Sequence, residues 1–427
     1  MTQISEAKKG MITKQIKEVS KKENIAVEII KRRVASGKIV IPFNPIHSPS
    51  SLGIGKGLRV KVNANIGTSM EHCDIKEEIE KAKVSVEAGT HAVMDLSTGG
   101  DLDKIRISLL KTVNIPFGTV PIYQAGIDAI EKRGSIVEMT EDDMFKAFEN
   151  QAKQGVDFAV AHVGVTKESV ERLKRQKRLI PMVSRGGSFH MAWILHNNQE
   201  NPLYKNFDYL LEIAKKYDLT LSLGDGMRSG ALYDSNDRAK FQELLIIGEL
   251  VERAREYGVQ TMVEGPGHMP LNDIQPNIQV MKTVTGEAPY FVLGPLVTDI
   301  APGYDHFVGG IGGAIAGFAG ADFLCYVTPA EHLSLPDKND VREGVIASRI
   351  AAHAADLARG IDRDKDFNFS KAREDLNWKK MFDLCIDPKK AREYREKRMP
   401  LEDTRACSMC GKLCAIEIVK KYLKGSN

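Results

Sequence analysis

The sequence predicts an α/β protein: a closed (β/α)8 TIM-like barrel, preceded by a short helical segment and followed by a helical domain that carries a cysteine tail. Three observations carry this. Short apolar runs alternate with amphipathic stretches, and about eight such units over roughly 270 residues fit a closed parallel barrel better than an open sheet. Nearly every apolar run ends in glycine, polar or ionisable residues, as strand ends do at the mouth of a barrel. The chain closes on Ala406-Cys407-Ser408-Met409-Cys410-Gly411-Lys412-Leu413-Cys414, which gathers three of its six cysteines in C-x2-C-x3-C spacing.

Composition narrows the function classes. The chain has 427 residues, 42 % hydrophobic and 27 % charged, ample for a globular core. Sixty basic residues against 57 acidic leave a net charge of +3, too small to imply a nucleic-acid partner. Residues 1–22 are polar and lack the apolar stretch of a secretory signal. The most apolar run, residues 309–321, is too short to span a bilayer and reads as a tightly packed barrel helix. Cys73, Cys325 and Cys385 are scattered singly and suggest no disulfide framework. The expectation is a cytoplasmic protein with reduced thiols and no membrane partner.

In chain order, residues 1–57 read as two amphipathic helices, 5–22 and 24–36, then a loop rich in proline, serine and glycine. Residues 58–336 form the barrel. Nine apolar runs compete for its eight strands: 61–67, 92–98, 117–122, 158–164, 181–186, 219–225, 260–265, 290–296 and 323–328. One of the nine must lie outside. Residues 337–400 form the helical domain, with Asp340 placed to cap a helix over 341–359 and further helices at 371–384 and 389–397. Residues 401–427 form the cysteine tail.

The strand ends carry the candidate chemistry. His268 and His332 close two different runs, each near a glutamate (Glu264, Glu331), and two neutral imidazoles make a plausible divalent-metal site. Two separately hydrogen-bonded core histidines are the plain alternative. Ser184-Arg185-Gly186-Gly187 and Asp225-Gly226-Met227-Arg228 resemble anion-handling loops, in which glycine lets backbone N–H groups approach a phosphate and arginine grips its oxygens in pairs. Asp95, Tyr123, His162 and Glu264 are candidate proton donors, acceptors or orienting groups. The cysteine trio suits an iron–sulfur cube with one open iron, a zinc site lacking its fourth ligand, or a structural tail.

The ordered set Val62-Asn63-Ala64-Asn65-Ile66-Gly67, Val93-Met94-Asp95-Leu96-Ser97-Thr98, Gly118-Thr119-Val120-Pro121-Ile122-Tyr123-Gln124, Val183-Ser184-Arg185-Gly186-Gly187, Val263-Glu264-Gly265-Pro266-Gly267-His268, Thr298-Asp299-Ile300-Ala301-Pro302-Gly303-Tyr304-Asp305-His306 and Cys325-Tyr326-Val327-Thr328-Pro329-Ala330-Glu331-His332, with the cysteine tail, closely resembles the phosphomethylpyrimidine synthase family. The resemblance covers essentially the whole chain. It implies a radical S-adenosylmethionine enzyme in which Cys407, Cys410 and Cys414 ligate a [4Fe–4S] cluster. An electron donor reduces that cluster, S-adenosylmethionine is cleaved, and the resulting radical attacks 5-aminoimidazole ribotide. It further implies substrate contacts at Asn65, Met94, Tyr123, His162, Ser184, Arg185, Gly186, Asp225, Gly226, Met227, Arg228 and Glu264. The implied ligands of a zinc-like divalent metal are His268 and His332. A homodimer that swaps its C-terminal tails completes the picture.

Two products are known in the family: the phosphorylated pyrimidine of thiamine, and 5-hydroxybenzimidazole, a lower-ligand precursor of cobamides (vitamin B12 relatives) made by a paralogue. Four departures from the usual pyrimidine-synthase pattern stand at Pro42-Phe43-Asn44-Pro45-Ile46-His47, His162-Val163-Gly164-Val165, Arg228-Ser229-Gly230 and Tyr290-Phe291. Read as a cluster around the substrate pocket, they favour the benzimidazole synthase, with the pyrimidine synthase as the alternative.

Overall fold

The computed structural model describes residues 1–400 and 405–424; the remaining residues of the expected tail, 401–404 and 425–427, lie outside the described residues. The chain divides into two compact units, Met1–Asp356 and Leu357–Asn427.

The first unit contains the barrel. Its eight parallel strands are β1 (Lys61–Ile66), β2 (Ala92–Asp95), β3 (Phe117–Thr119), β4 (Phe158–Ala161), β5 (Thr220–Leu223), β6 (Thr261–Gly265), β7 (Tyr290–Leu293) and β8 (Phe323–Cys325). Each lies beside the next, and β8 pairs with β1 to close the ring, with Leu324 opposite Val62 and Cys325 opposite Asn63. The strands are buried along almost their whole length, so they appear in sequence as continuous apolar runs rather than alternating ones. Phe158, Phe291 and Phe323 fill the interior, Phe291 stacking on Phe323 with centroids 4.3 Å apart. Gly118 makes room for them: a Cβ there would meet the Phe158 ring at 2.2 Å.

The run outside the barrel is 181–186. Asp234 accepts the backbone N–H groups of Leu179 and Ile180, both at 3.0 Å, which ties the chain just before this run to a side chain rather than to a strand. Ser184 then ends it by capping the helix Arg185–Asn197, its Oγ accepting from Gly187 N at 3.1 Å. Two expected helices are also broken. The first becomes Gln3–Lys8 and Lys14–Glu23, parted at Gly10 with φ +82°, and Thr13 caps the second piece. The stretch 371–384 becomes Arg363–Glu374 and Trp378–Leu384, with Leu376 at φ +51° between them. In each case the apolar spacing continues across the break and hides it.

The long helix runs Lys338–Ala358. Its cap is Asp337, whose carboxylate accepts from Asn339 and Asp340 N–H, while Asp340 reaches back to the N–H of Asp337. Asp340, the expected cap, is thus the third residue of a reciprocal box, and the helix begins about one turn earlier than expected. The glycine-rich helix Asp305–Ala319 packs as expected: a Cβ at Gly312 would lie 1.9 Å from Pro295 O. Among the described residues, no helix is long and apolar enough to cross a membrane.

The N-terminal segment seals the end of the barrel opposite the mouth. Its ribbon of Ile39–Val40 against Ile54–Gly55 continues into Ile41, which exchanges two hydrogen bonds with the Gln260 side chain just before β6. Asn44 N donates to Asp157 Oδ1 at 2.7 Å, just before β4. Asp157 also takes Phe117 N at 2.8 Å and pairs with His47 Nδ1 at 2.7 Å. Replacing Asp157 with alanine leaves these buried donors without an acceptor, so the variant should lose about 3–5 kcal/mol. The thermal midpoint checks this, and an unchanged midpoint would show that water replaces the carboxylate.

Candidate functional site

The polar strand ends converge. A cavity of about 290 Å³ at the C-terminal mouth is lined by Asn65, Met94, Tyr123, His162, Ser184, Arg185, Arg228 and Glu264, eight of the twelve expected substrate residues. The four others, Gly186, Asp225, Gly226 and Met227, are absent from the lining and form the layer behind it. Gly186 lies against His162, where a Cβ would meet the ring at 2.2 Å, so glycine is needed there to seat the imidazole. Arg185 holds its guanidinium 5.1 Å over the Tyr123 ring. Arg185 and Gly186 open the first turn of their helix, where backbone N–H groups have no intrahelical acceptor.

The loop Asp225–Arg228 is built differently from a phosphate cradle. Its glycine amide is already bonded: Gly226 N donates to Glu243 Oε1 at 2.9 Å and Met227 N to Glu243 Oε2 at 2.7 Å. Glu243 lies in the helix Arg238–Tyr257 and is buried, and burial together with the neighbouring Asp225 pushes its carboxyl well above the usual range. Two adjoining buried carboxyls share a proton more readily than they both ionise. Cβ atoms at Gly164 and Gly226 would press on Glu243 at 2.5 and 3.0 Å, so both glycines leave it space. Of the loop, only Arg228 faces the cavity, and the anion grip reduces to Arg185, Arg228 and the helix N-terminus.

The cavity's ionisable groups are displaced from their ordinary values. Burial lifts the Glu264 carboxyl to about 7, against the opposing pull of Arg228 and of the Ser222 hydroxyl that donates to it at 2.9 Å. Burial likewise raises Tyr123 and, aided by His190 and Arg228, holds His162 well below its ordinary value and therefore neutral. Asp95 is placed outside the cavity, its carboxylate accepting Ser97 N at 2.9 Å. Cys325, whose motif position had no assigned role, lines the cavity as a thiol pushed to about 12 by burial, with Asn65 Nδ2 2.9 Å from its sulfur.

A second cavity of about 420 Å³ contains the histidines and shares Val183, Arg228, Leu293 and Glu331 with the first. The His268 and His332 rings lie with centroids 5.1 Å apart. Two imidazoles on one tetrahedral ion, with bonds of about 2.05 Å, would place their centroids about 5.2 Å apart. The pair therefore fits a shared divalent ion, and a two-histidine site leaves positions open to water or substrate. Among the described residues, no group of three or more His, Cys, Asp or Glu side chains is gathered closely enough to hold an ion alone. Asp305 borders this cavity, while His306 is not part of its lining.

The cysteine loop belongs to the second unit. Cys410 N and Gly411 N donate to Cys407 O at 3.2 and 2.9 Å, and Leu413 N to Cys410 O at 2.9 Å, wrapping the three cysteines into one turn. Cys407 is held below its ordinary value by the backbone N–H of Cys410, while the hydrogen bond to Cys407 raises Cys410. All three are free thiols. Three neighbouring soft donors fit an iron–sulfur cluster.

The four pattern departures do not cluster at the pocket. Residues 42–47 lie at the sealed end of the barrel, where Asn44 and His47 bind Asp157. Val163 is wholly buried and lines no cavity described above. Ser229 and Gly230 border the second cavity, and Phe291 alone borders the first. Tyr290 points away, its hydroxyl donating to Asn277 Oδ1 at 3.3 Å.

Glu264 makes a stability prediction. Its value in the folded chain lies above the ordinary 4.5, so between about pH 4.5 and 7 the native state binds more protons than the unfolded chain. Stability from this group is therefore highest at low pH and falls as pH rises to 7. Glu264→Gln removes the slope, and above pH 7 the variant should be the more stable by about 2 kcal/mol, a figure reduced for the open cavity. Thermal midpoints of both proteins from pH 5 to 8 should diverge; parallel curves would place Glu264 in an aqueous setting.

The sequence has close counterparts among known proteins. The sequence model described as the Radical SAM ThiC family matches residues 2–421. The phosphomethylpyrimidine synthase of Caldanaerobacter subterraneus subsp. tengcongensis is 57 % identical over 427 residues, spanning 99 % of this chain and 98 % of its own. That of Moorella thermoacetica is 56 % identical over 426 residues, with the same coverage. That of Methanocaldococcus jannaschii is 55 % identical over 426 residues, spanning 99 % of this chain and 100 % of its own. With a family match across nearly every residue and identities above one half at full length, this chain belongs to the Radical SAM ThiC family.

Proposed function

We propose that the chain is a phosphomethylpyrimidine synthase, converting 5-aminoimidazole ribotide to the phosphorylated aminopyrimidine of thiamine with S-adenosylmethionine as cosubstrate. The observation that carries this is the convergence of eight of the twelve expected substrate residues on one cavity, in a chain 55–57 % identical to enzymes of that name. The benzimidazole reading is the weaker one, because it relied on departures gathered around the substrate and only Phe291 borders the substrate cavity.

In this reading Arg185, Arg228 and the N–H groups at the start of helix Arg185–Asn197 take the phosphate. Glu264, close to half ionised at neutral pH, accepts from the substrate's amino group or holds its proton. Asn65, Tyr123 and neutral His162 orient the ribose and the ring, and Met94 packs against them. Gly186, Asp225, Gly226 and Met227 act from behind, by seating His162 and Arg228. His268 and His332 hold a divalent ion, and Cys407, Cys410 and Cys414 hold the [4Fe–4S] cluster. That cluster, once loaded, supplies the electron that cleaves S-adenosylmethionine. The buried barrel interior then keeps solvent from the substrate.

The test is a product assay on anaerobically reconstituted enzyme with the ribotide, S-adenosylmethionine and a strong reductant, read by chromatography and mass spectrometry. A phosphorylated hydroxymethylpyrimidine is expected. A fluorescent, phosphate-free hydroxybenzimidazole would instead make Phe291 and Ser229–Gly230 determinants of the product.

The reading includes a homodimer with exchanged tails. Co-expressed Cys410→Ser and Arg228→Met chains, each inactive alone, should then regain activity, since a mixed dimer joins one intact barrel to one intact tail. Absence of complementation in dimers shown to be mixed would mean that each tail serves its own barrel.

A further inference from the structure

His268 and His332 are each backed by an aspartate to which neither the strand-end pattern nor the family resemblance gives a role. His268 Nδ1 lies 2.7 Å from Asp299 Oδ1. The other carboxylate oxygen, Oδ2, takes Leu232 N at 2.9 Å, so Asp299 is held at both ends. The backbone of His268 is fixed as well: Ser229 Oγ donates to its carbonyl at 2.7 Å, and it forms a parallel bridge with Leu296. With Nδ1 engaged, Nε2 is the nitrogen this imidazole has left to offer.

His332 is presented differently. Its backbone sits at φ +63°, a left-handed conformation uncommon for a residue with a side chain, and such strain collects at functional sites. Its Nδ1 lies 3.6 Å from Asp305 Oδ2, slightly beyond a hydrogen bond. Asp305 is 4 % exposed, opens the helix Asp305–Ala319, and this same oxygen has no hydrogen-bond partner. A small rotation of the imidazole closes the gap and satisfies the carboxylate. Both aspartates border the histidine cavity.

We propose that Asp299 and Asp305 are positioning residues for a divalent cation, each holding one imidazole by Nδ1 so that His268 and His332 turn Nε2 toward the same ion. The proposal rests on the cation site of the preceding section and adds what aims it. Carboxylates behind metal-bound imidazoles fix the ring and raise its basicity, and their loss commonly costs ten- to a hundredfold in affinity.

The experiment uses the full-length chain with Cys407, Cys410 and Cys414 changed to serine, so that added Zn2+ reports on the histidines and not on the tail. Zn2+ affinity is measured by competition with a chromophoric chelator, and Co2+ absorption reports coordination geometry. Asp299→Ala and Asp305→Ala should each weaken Zn2+ by about 10–100-fold and alter the Co2+ spectrum. The asparagine variants keep an acceptor oxygen without the charge and should lose less; they carry the test if an alanine variant does not fold. Metal-free thermal midpoints separate loss of aim from loss of fold. Should both aspartate variants bind Zn2+ like the parent while His268→Ala abolishes binding, the positioning role is wrong and the cation site stands. Should parent and His268→Ala bind equally poorly, the cation site itself is wrong and the aspartate role falls with it.

Discussion

Closure of the sheet between its last and first strands is the constraint on which the mouth depends. A parallel sheet left open exposes two rows of unpaired backbone groups, and eight strands can remove both by joining their edges. Here the joint is short. Phe323–Cys325 offers three residues to Lys61–Ile66, and Tyr326 extends the contact by donating its N–H to Asn63 O at 2.9 Å and its hydroxyl to Asn65 O at 2.5 Å. The seam brings Asn65 and Cys325 together, and the β7 neighbour places Leu293 opposite Cys325 and Phe291 opposite Phe323. Ring closure and cavity assembly are therefore one event.

Much of this was legible in the sequence, for identifiable reasons. Strands buried on both faces leave apolar runs, and their ends at the mouth leave polar residues at regular intervals, so all eight barrel strands could be located. The cysteine loop was legible from spacing alone, because sulfur donors must be close to share a centre. The ninth run, residues 181–186, has strand composition, and what ends it is the helix Arg185–Asn197 that Ser184 caps. The split helices kept their apolar spacing across the breaks. Glu243 was invisible for another reason: a lone glutamate in an amphipathic helix reads as part of the wet face. Its burial follows from what sits above it, and the faint clue was the pair of glycines, Gly164 and Gly226, that leave it room.

The pattern departures show what a linear comparison lacks. Residues 42–47 lie at the far end of the barrel from the cavity, pinned to Asp157. Tyr290 and Phe291 are neighbours in sequence but opposite in direction, since successive strand residues face opposite sides. The hydroxyl of this pair therefore lies outside the sheet, bonded to Asn277, and the ring that borders the cavity is the phenyl of Phe291. One departure bordering the cavity is a small perturbation of a pocket whose expected polar residues are otherwise in place.

Arg228 and Glu331 border both cavities. Burial holds the Glu331 carboxyl above its usual value, and His332 opposes that. A cation arriving on the histidine side favours the ionised carboxylate, and an anion arriving on the other side engages Arg228. The two chambers thus share a wall that carries charge of both signs, and neither can be filled without changing the field in its neighbour. Thermodynamic reciprocity then applies: whatever one occupant does to the affinity of the other is returned in equal measure.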